Sequence, residues 1–583
     1  MCGIVGAVAE RNVVEILLEG LKRLEYRGYD SAGVALLDKD GNLKRIRKVG
    51  KVKNLAEALE NETALGTTGI AHTRWATHGG VTEYNAHPHF SSSRVAVVHN
   101  GIIENFEELV KIFALNETCI KSETDSEIIA EICDKLLNEF NNPIDVIKKI
   151  SQNVQGTFSF AFLIKGSDSI YATRRGSPLV LGLSENLNSI SSDVLGLPDE
   201  TREVIFLEEN DIATINPSSI SIYNIKGNSI NRKKHEFVAK KDFKTKGKFM
   251  HFMEKEIFHQ PICLEDIILN FADKKTNSVF LPKNTIDFNN ISNIILVACG
   301  TAYHSCMIAK YWLEQMTDKH VSIDIASEYR YKKNNIDKNS IAIVVSQSGE
   351  TMDTLECLKK FRQNDLFTIS IVNVLNSSIA RMSDYVLPTL AGPEIGVAST
   401  KAFIGQMLVL YILAMKISEV RKEISKSDYI EKINELKKLP DLINKTLKCE
   451  DKIQIIAKDF LEAKGAIFLG RGSSFPIALE GALKLKELSY LHAEGYPAGE
   501  MKHGPLALIE EGLPVVILAP KDRYFEKTIS NMQEVIARGG QVILISNDNN
   551  NIISENVRST LEIPKTDNFL TPFLMTIPLQ LLA

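Results

Sequence analysis

The chain has 583 residues, enough for three or more domains, and 44% of them are hydrophobic. A net charge of −5 gives no electrostatic case for binding nucleic acid or an anionic membrane. The eight cysteines include no CxxC pair, which favours reduced thiols over a disulfide framework. We see no signal peptide and no apolar stretch of the roughly 18 residues that a membrane span needs, so we expect a cytoplasmic protein.

The chain starts with a cysteine directly behind the initiator methionine. The apolar, glycine-spaced run at residues 3–6 predicts a buried strand that presents Cys2 at its end. Removal of Met1 would give Cys2 a free α-amino group with a pKa of about 8, so that one residue supplies both the nucleophile and its base. The alternative is a chance Met-Cys start on a frayed terminus, and the segments that follow decide between the two.

Helix and strand patterns continue through the first part of the chain. Apolar residues repeat at helical spacing from Val14 to Leu24, and a glycine-rich turn follows at residues 26–33. Strands are predicted at about 33–38, 44–49 and 67–72. A helix followed by several strands is expected of a mixed α/β domain.

Histidines are concentrated in the next segment. Five of them lie within 28 residues: His72, His78, His87, His89 and His99. A metal site is one interpretation, but no cysteine or carboxylate completes a recognisable zinc spacing. Packed or hydrogen-bonded histidines are the preferred interpretation.

Two further pairs of residues offer chemistry suited to an amide substrate. Arg74 and Asp125 supply the cation and the anion that a zwitterionic amino acid needs. Asn100 and Gly101 supply a side-chain amide and a backbone N–H, the two donors of an oxyanion hole. Taken alone, an Asn-Gly pair is more often a simple turn.

Together these segments resemble the class II glutamine amidotransferase family of N-terminal-nucleophile hydrolases, over about residues 2–240. The resemblance implies a four-layer αββα fold that hydrolyses glutamine through a thioester on Cys2. It implies that Asn100 and Gly101 form the oxyanion hole and that Trp75 lies at the exit for ammonia. The residues that it implies for glutamine binding are Arg74, Thr77, His78 and Asp125.

Residues 241–284 are predicted to be a linker and a connecting helix that begins near His251. The sequence around residues 231–248 is basic and polar. Such a patch could bind an anion, but a solvated linker is the preferred interpretation.

The rest of the chain contains an internal repeat. Two strand–loop–helix units begin at Asn293 and Gly465 and continue into further strands. These strands are predicted at 340–346 and 367–373 in the first copy, and at 513–519 and 541–546 in the second. The pattern predicts two doubly wound α/β domains, residues 285–430 and 455–583.

The two copies carry different polar motifs. The first has a hydroxyl-rich turn at residues 346–351, which suits a phosphate cradle at a helix N-terminus, although an ordinary N-capped helix start looks similar. The second has Lys484 and Glu487 on one helix face, a spacing usually explained by an exposed salt bridge. With His503 in a nearby loop, these groups suit the opening of a sugar ring and a proton transfer between neighbouring carbons.

These motifs resemble tandem sugar isomerase (SIS) domains. Behind the amidotransferase, they resemble the glutamine–fructose-6-phosphate aminotransferase family from Cys2 to Ala583. That resemblance implies conversion of D-fructose 6-phosphate and L-glutamine to D-glucosamine 6-phosphate and L-glutamate, without a cofactor or a metal, as the first step of hexosamine biosynthesis. It implies a homodimer, in which Glu487 moves a proton between C1 and C2, Lys484 lies nearby, and His503 opens the ring in the neighbouring subunit. The residues that it implies for phosphosugar binding are Thr301, Ser346, Gln347, Ser348, Thr351, Val397 and Ser399.

Two features depart from the family pattern. Ala302 stands where the family usually has a serine, which would remove a phosphate contact of a kind worth about 1.5–3 kcal/mol. The chain also ends on an apolar run matching residues 403–413 of the first copy, where the family continues into a tail that covers the sugar site. We therefore expect a truncated chain that hydrolyses glutamine but makes little amino sugar.

Two other functions were weighed on the same residues. A phosphoribosyl transferase or synthetase built on this glutaminase would need a pyrophosphate or ATP signature, and the sequence shows none. A sugar-phosphate sensor without enzyme activity would not need Cys2, Glu487 and His503. The aminotransferase is therefore the preferred hypothesis.

Overall fold

The computed structural model describes residues 2–25, 28–38, 40–62, 64–76, 78–91, 94–115, 120–237, 246–273, 278–281, 286–333, 336–548 and 557–583. The chain divides into two compact units, Met1–Thr245 and Lys246–Ala583. Parts of the predicted linker, together with Thr77, lie outside the described residues.

In its described residues, the first unit has antiparallel strands and five α-helices. Its strands are β1 (Gly3–Ala9), β2 (Ser31–Leu37), β3 (Leu43–Val49), β4 (Thr68–Arg74), β5 (His89–Phe90), β6 (Val95–Ile103), β7 (Gly156–Ile164), β8 (Ile170–Arg175), β9 (Val180–Ser184), β10 (Leu187–Ser191), β11 (Glu203–Phe206), β12 (Ile212–Ile215), β13 (Ile220–Tyr223), β14 (Ser229–Ile230) and β15 (His235–Glu236). Its helices are α1 (Val14–Leu24), α2 (Val52–Asn61), α3 (Phe106–Ile112), α4 (Glu127–Leu136) and α5 (Pro143–Asn153).

These strands form two sheets. One has the order β15-β11-β9-β10-β1-β4-β2-β3, and the other has the order β14-β13-β12-β8-β7-β6-β5. Strand β1 shows how they pack, because its side chains alternate between two cores. Ile4 and Val8 belong to the core between the sheets, whereas Val5 and Ala7 pack against α1 and α2. A third core joins the second sheet to α4 and α5, which confirms the predicted αββα layers.

The second unit has mainly parallel strands. Its strands are β16 (Ala272–Asp273), β17 (Ser278–Val279), β18 (Asn293–Ala298), β19 (His320–Ile325), β20 (Ile341–Ser346), β21 (Phe367–Val372), β22 (Tyr385–Pro388), β23 (Ala466–Gly470), β24 (Ala493–Pro497), β25 (Pro514–Leu518), β26 (Gln541–Ser546) and β27 (Val557–Glu562). Its helices are α6 (Phe252–Phe271), α7 (Gly300–Met316), α8 (Ala326–Tyr329), α9 (Met352–Gln363), α10 (Ser378–Met382), α11 (Lys401–Arg421), α12 (Lys426–Thr446), α13 (Glu450–Ile456), α14 (Ser474–Ser489), α15 (Phe525–Ile536) and α16 (Thr571–Leu582).

The predicted repeat is confirmed by two parallel sheets of the same topology. Their orders are β19-β18-β20-β21-β22 and β24-β23-β25-β26-β27. In each, the first strand in sequence lies between the second and the third, so the strand order reverses between the first and third strands. In doubly wound sheets, ligands bind at the carboxyl ends of the strands at this switch point. In the first copy, that point lies where β18 and β20 end.

Helix α11 corrects the expectation that no segment could span a membrane. By length and composition alone it is apolar enough to cross one, with a mean hydropathy of 1.6 over its best window. Of that window, 83% is buried inside the protein, where it packs against α6 and α7. Its apolar surface is that of a core helix covered by neighbouring elements.

Candidate active sites

Cys2 lies at the start of β1, opposite the end of β4. The backbone N–H of Trp75 donates to the Cys2 Sγ at 3.3 Å, and the register pairs Gly3 with Thr73. Burial raises the pKa of the Cys2 thiol above its ordinary value, although the Trp75 N–H and the charge of Arg74 oppose this effect. The thiol is therefore mostly protonated at neutral pH, and attack on a substrate needs a base to remove its proton.

The side-chain amide of Asn100 is aimed at the same residue. Its Nδ2 donates to the carbonyl oxygen of Cys2 at 3.1 Å, and its Oδ1 lies 3.0 Å from His72 Nε2. Burial lowers the pKa of His72 to about 3, so the ring is neutral and donates from Nε2 to the amide oxygen. A neutral histidine thus fixes which end of the Asn100 amide faces Cys2.

Gly101, the next residue on β6, has a backbone conformation that only glycine adopts easily. Its φ is +138°, and a Cβ at this position would lie 2.0 Å from the carbonyl oxygen of Thr157. Two residues further along β6, the N–H of Ile103 donates to Asp125 Oδ2 at 2.8 Å. Asp125 therefore holds the end of the strand that carries Asn100 and Gly101.

Arg74 is buried at the end of β4 and organises the turn that follows. Its guanidinium donates to the carbonyl oxygens of His78 and Gly80, the latter at 3.1 Å. Glu123 Oε2 accepts from the Gly80 N–H at 3.0 Å, and so ties the turn to the segment that carries Asp125. Arg74 and His78, two of the residues implied for glutamine binding, are therefore directly bonded, and Glu123 links their turn to the chain two residues before Asp125.

The glycine-rich turn packs against the backbone of Trp75. A Cβ on Gly28 would lie 2.8 Å from the backbone of Arg74 and Trp75. Asp30 Oδ2 accepts from the Ala76 N–H at 2.8 Å. The Trp75 ring meets the Tyr29 ring edge-on at 5.2 Å and remains 39% exposed. A wide apolar ring next to Cys2 fits the implied position at an exit from the site.

The histidine segment is a packed cluster, as the preferred interpretation held. The rings of His72 and His87 lie 4.2 Å apart, those of His87 and His89 lie 4.5 Å apart, and burial lowers the pKa of all three. Across the part of the chain that the structure describes, we find no group of histidine, cysteine and carboxylate side chains that could hold a metal ion. His78 differs from the cluster because it is exposed.

In the second unit, the hydroxyl-rich turn follows β20 at the switch point. Ser346 Oγ lies 2.9 Å from Thr351 Oγ1 and accepts from the Gly349 N–H at 3.0 Å. Gly349 has a φ of +65°, and a Cβ there would collide with Ser377. Hydroxyls and backbone N–H groups thus gather at the N-terminus of α9, where an anion is stabilised.

A buried charge network joins the first copy to the second. Lys484 on α14 is only 1% exposed, and its Nζ donates to Thr301 Oγ1 at 3.2 Å and to Glu487 Oε2 at 2.6 Å. Glu480 is 2% exposed and accepts from Thr301 at 3.0 Å and from His304 at 2.6 Å. The network therefore places α14 against the first turn of α7, beside the switch point.

The ionisation of this network follows from its pairing. Burial alone would lower the pKa of Lys484, but the carboxylates of Glu480 and Glu487 raise it above its ordinary value. Burial would raise the pKa of Glu480, but Lys484 and His304 lower it below its usual value. Lys484 is thus held as an ammonium and Glu480 as a carboxylate. The Glu487 side chain is 35% exposed and can be reached from solution.

Sequence reasoning missed Glu480 and His304. Glu480 lies four residues before Lys484 on the same helix, and His304 lies three residues after Thr301. Helical spacing could have placed each beside a predicted residue. It could not have shown that the two helices meet.

The remaining predicted sugar-site residues lie in different surroundings. Val397 and Ser399 belong to the loop before α11, where Ser399 Oγ donates to Glu394 Oε2 at 3.0 Å and Val397 is 49% exposed. His503 ends a short 3-10 helix and is exposed. Among the described residues, no hydrogen bond or ion pair joins His503 to Lys484 or Glu487. Within this chain, His503 therefore does not belong to the Lys484 charge network.

Comparisons with known proteins match this arrangement. A family model of the SIS domain matches residues 287–416 and 459–583, and a model of a glutamine amidotransferase domain matches residues 72–194. A curated protein of Bradyrhizobium diazoefficiens, named glutamine–fructose-6-phosphate aminotransferase (isomerizing), is 46% identical over 587 residues, covering 100% of this chain and 96% of that protein. A protein of the same name from Pseudomonas aeruginosa is 44% identical with the same coverage.

A solved structure resembles the second unit. The C-terminal domain of glucosamine-fructose-6-phosphate aminotransferase from Francisella tularensis is 42% identical and aligns with a TM-score of 0.57. The alignment covers 58% of this chain and 95% of that domain. The SIS repeat described above is therefore shared with a phosphosugar enzyme of known structure.

Proposed function

The chain belongs to the glutamine–fructose-6-phosphate aminotransferase family, and from that premise we propose how its own residues perform the two half-reactions. It is an enzyme that combines a glutamine amidotransferase domain with two SIS domains. Its substrates are L-glutamine and D-fructose 6-phosphate, and its products are L-glutamate and D-glucosamine 6-phosphate.

In the first half-reaction, Cys2 is the nucleophile. With Met1 removed, its α-amino group accepts the thiol proton, and the sulfur attacks the amide carbon of glutamine. The oxyanion that forms accepts hydrogen bonds from Asn100 Nδ2 and the Gly101 N–H. The raised pKa of the Cys2 thiol explains why an internal base is needed. Loss of ammonia leaves a thioester, which water hydrolyses to glutamate.

Glutamine binding is assigned to the network at the end of β4. We propose that Arg74 and Asp125 hold the α-carboxylate and the α-ammonium of glutamine, with Thr77 and His78 as further contacts and Trp75 at the exit for ammonia. The bonds that join Arg74 to the 78–80 turn support this assignment, because they position several of these groups together.

In the second half-reaction, ammonia condenses with the C2 carbonyl of the open-chain sugar and water leaves. Glu487 then removes a proton from C1 and returns it to C2, while the C1 hydroxyl loses its proton and the imine nitrogen gains one, which gives the C1 aldehyde of the amino sugar. Lys484, held as an ammonium beside it, stabilises charge that develops on the sugar oxygens. The phosphate is assigned to Thr301, Val397, Ser399 and the turn of Ser346, Gln347, Ser348 and Thr351.

We also propose an assembly and a location. His503 is exposed and lies outside the Lys484 network, so we assign it to ring opening in the sugar site of a partner subunit within a homodimer. The location is assigned to the cytoplasm. The proposed domain limits are 2–240 for the amidotransferase, 241–284 for the linker and helix, and 285–430 and 455–583 for the SIS domains.

One observation carries the proposal: the Asn100 amide is aimed at Cys2 in the first unit, while the second holds a buried Lys484–Glu487 pair at Thr301. The test measures glutamate and glucosamine 6-phosphate in one reaction. We expect glutamate from glutamine alone, and the amino sugar only when fructose 6-phosphate is added. Amino sugar formed in step with glutamate would contradict the expectation, drawn from the sequence, that this chain makes little of it. In Glu487→Gln we expect glutamate release to continue while amino-sugar formation falls at least ~10²-fold, because the base is lost and its size is kept.

The control is Lys486→Gln on the same helix, because Lys486 is exposed. It should keep both activities. Amino-sugar formation at the wild-type rate by Glu487→Gln would reduce Glu487 to a salt-bridge partner of Lys484. Amino-sugar formation from ammonia and fructose 6-phosphate with no contribution from glutamine would contradict the coupling of the two units.

A further inference from the structure

The loop before α11, residues 389–400, is held by buried carboxylates on two sides. Glu394 within the loop accepts from the Thr400 N–H at 2.8 Å and from Ser399 Oγ at 3.0 Å. Glu256 reaches the loop from α6, where it is only 5% exposed. Its Oε1 accepts from the Ile395 N–H at 2.5 Å, and its two oxygens accept from the Gly396 N–H at 3.2 and 3.1 Å.

The fit at Gly396 leaves no room for a side chain. A Cβ there would lie 2.6 Å from Glu256 Oε2 and 3.3 Å from the Cα of Met253. The loop backbone therefore lies directly on α6. From the same helix, Cys263 Sγ donates to the Ala391 carbonyl at 3.6 Å. From α16, Gln580 donates to the Thr400 carbonyl at 3.4 Å.

Asn373 links the first half of the loop to the hydroxyl-rich turn at residues 346–351. The Asn373 N–H donates to the Gln347 carbonyl at 3.1 Å, and Asn373 Nδ2 donates to the Gly392 carbonyl at 2.7 Å. The loop thus bridges α6 and the hydroxyl-rich turn, and Val397 and Ser399 lie between its attachment to α6 at Gly396 and the Thr400 carbonyl that Gln580 holds. A change at the α6 attachment moves the residues that the proposed function assigns to the sugar phosphate.

We propose that Glu256 is a positioning residue for sugar-phosphate binding, which clamps the 389–400 loop to α6 through the Ile395 and Gly396 N–H groups. This inference rests on the proposed function, because that function assigns Val397 and Ser399 to the substrate. Glu256 itself does not touch the sugar. A carboxylate suits this position because it offers two charged oxygens, and bonds from backbone N–H groups to a charged acceptor are stronger than those to a neutral one.

The clamp is sensitive to pH. Burial raises the pKa of Glu256 to about 7, and the neighbouring charge of Glu394 adds to this effect. The N–H bonds and Lys401 on α11 act in the opposite direction, and His259, one turn along α6, has a pKa lowered by burial. Above neutral pH, Glu256 is charged and holds both N–H groups. Below it, a proton occupies one oxygen and the clamp weakens.

The experiment measures the dissociation constant of fructose 6-phosphate by calorimetry, at about pH 6 and about pH 8. In Glu256→Gln we expect binding about tenfold weaker than wild type at the higher pH, because a charged double acceptor becomes a neutral single one. At the lower pH the ratio of the two constants should approach one, because wild-type Glu256 is then protonated as well. The titration of the sugar phosphate itself is common to both proteins and cancels in that ratio.

The matched control is Glu265→Gln, an exposed carboxylate on the same helix. It should bind like wild type at both pH values. Gly396→Ala tests the same contact from the loop, since its Cβ displaces the Glu256 carboxylate, and it should weaken binding by a similar factor without adding to Glu256→Gln. A thermal unfolding transition of the second unit like that of wild type shows that each variant is folded.

The outcomes separate the inference from the proposed function. If wild type does not bind fructose 6-phosphate, the proposed function is wrong. If wild type binds it and Glu256→Gln binds it equally well at the higher pH, the clamp is wrong. A weakened constant whose ratio to wild type is the same at both pH values would contradict the role of Glu256 protonation.

Discussion

The two active sites are assembled in opposite ways. In the first unit, the register of two neighbouring strands, with Gly3 opposite Thr73, brings Cys2 to Trp75. In the second, side-chain charges join Thr301 to Lys484 across 183 residues and two copies of a fold. The groups around the reacting sulfur of the first site are neutral, a protonated thiol and an uncharged His72, whereas the second site holds the Lys484 ammonium away from water.

This difference predicts how each site fails. A backbone-defined site loses one step when one reacting group is removed, because the strands keep the other groups in place. A site made of buried ions loses more than the group removed, because each remaining charge then lacks a partner. A variant in the first unit should therefore affect one reaction step, whereas a variant in the second should also disturb the charged groups that remain.

The largest effect is expected for Cys2→Ala. Glutamate formation should fall by at least ~10³-fold, because no other group can form the thioester. Binding of fructose 6-phosphate should stay at the wild-type value, since the strands around the site do not depend on the thiol. Cys449→Ala, which removes a half-buried thiol of the second unit, is the control and should keep glutamate formation. Undiminished glutamate formation by Cys2→Ala would contradict the assignment of Cys2 as the nucleophile.

A smaller but wider effect is expected for Glu480→Gln. The amide oxygen still accepts from Thr301, and the amide nitrogen can donate to His304 Nδ1 in the other tautomer of that ring. The substitution removes the carboxylate whose charge does most to raise the pKa of Lys484. Burial should then lower that pKa, so that the ammonium is lost as the pH rises. We expect amino-sugar formation to fall about tenfold near pH 7 and further towards pH 9, whereas wild type changes little over that range.

The measurement is a pH profile of amino-sugar formation beside one of glutamate formation. The profile for glutamate should be the same in Glu480→Gln and wild type, because Glu480 belongs to the second unit. Glu526→Gln, whose side chain is 82% exposed, controls for the loss of a carboxylate. A profile for Glu480→Gln parallel to that of wild type would show that Glu487 alone sets the ionisation of Lys484.

The same contrast explains what the sequence could predict. Strand and helix periodicity predicted individual elements and the repeated α/β copies, because buried positions recur at the spacing of each element. The αββα layers, and the roles of Asn100 and Trp75 beside Cys2, came from short motifs that resemble a known family. Glu480, His304 and Glu256 were missed because each is a polar side chain on a helix, where an exposed position is the usual expectation. Only the packing of α14 on α7, and of the 389–400 loop on α6, shows that they are buried.

The smallest effect is expected for Ala302→Ser, which restores a hydroxyl in the first turn of α7. Ala302 follows Thr301 and is half-buried against the core, so a side chain one atom larger fits with little disturbance. A new hydroxyl at this helix N-terminus would donate to the phosphate. Because the backbone N–H groups of α7 share that anion, we expect a gain of about 1 kcal/mol, below the roughly 1.5–3 kcal/mol of an unshared contact, which corresponds to roughly fivefold tighter binding. Calorimetry with fructose 6-phosphate measures it.

Ala302→Val separates the hydroxyl from added bulk, because it enlarges the side chain without a donor, and it should bind no more tightly than wild type. Equal constants for Ala302→Ser and wild type would mean that the backbone N–H groups of α7 already satisfy the phosphate. That result would extend the contrast between the sites. The anion would then be held by the helix N-terminus, as the oxyanion is by the Gly101 N–H, and side-chain charge would matter only for the Lys484 network.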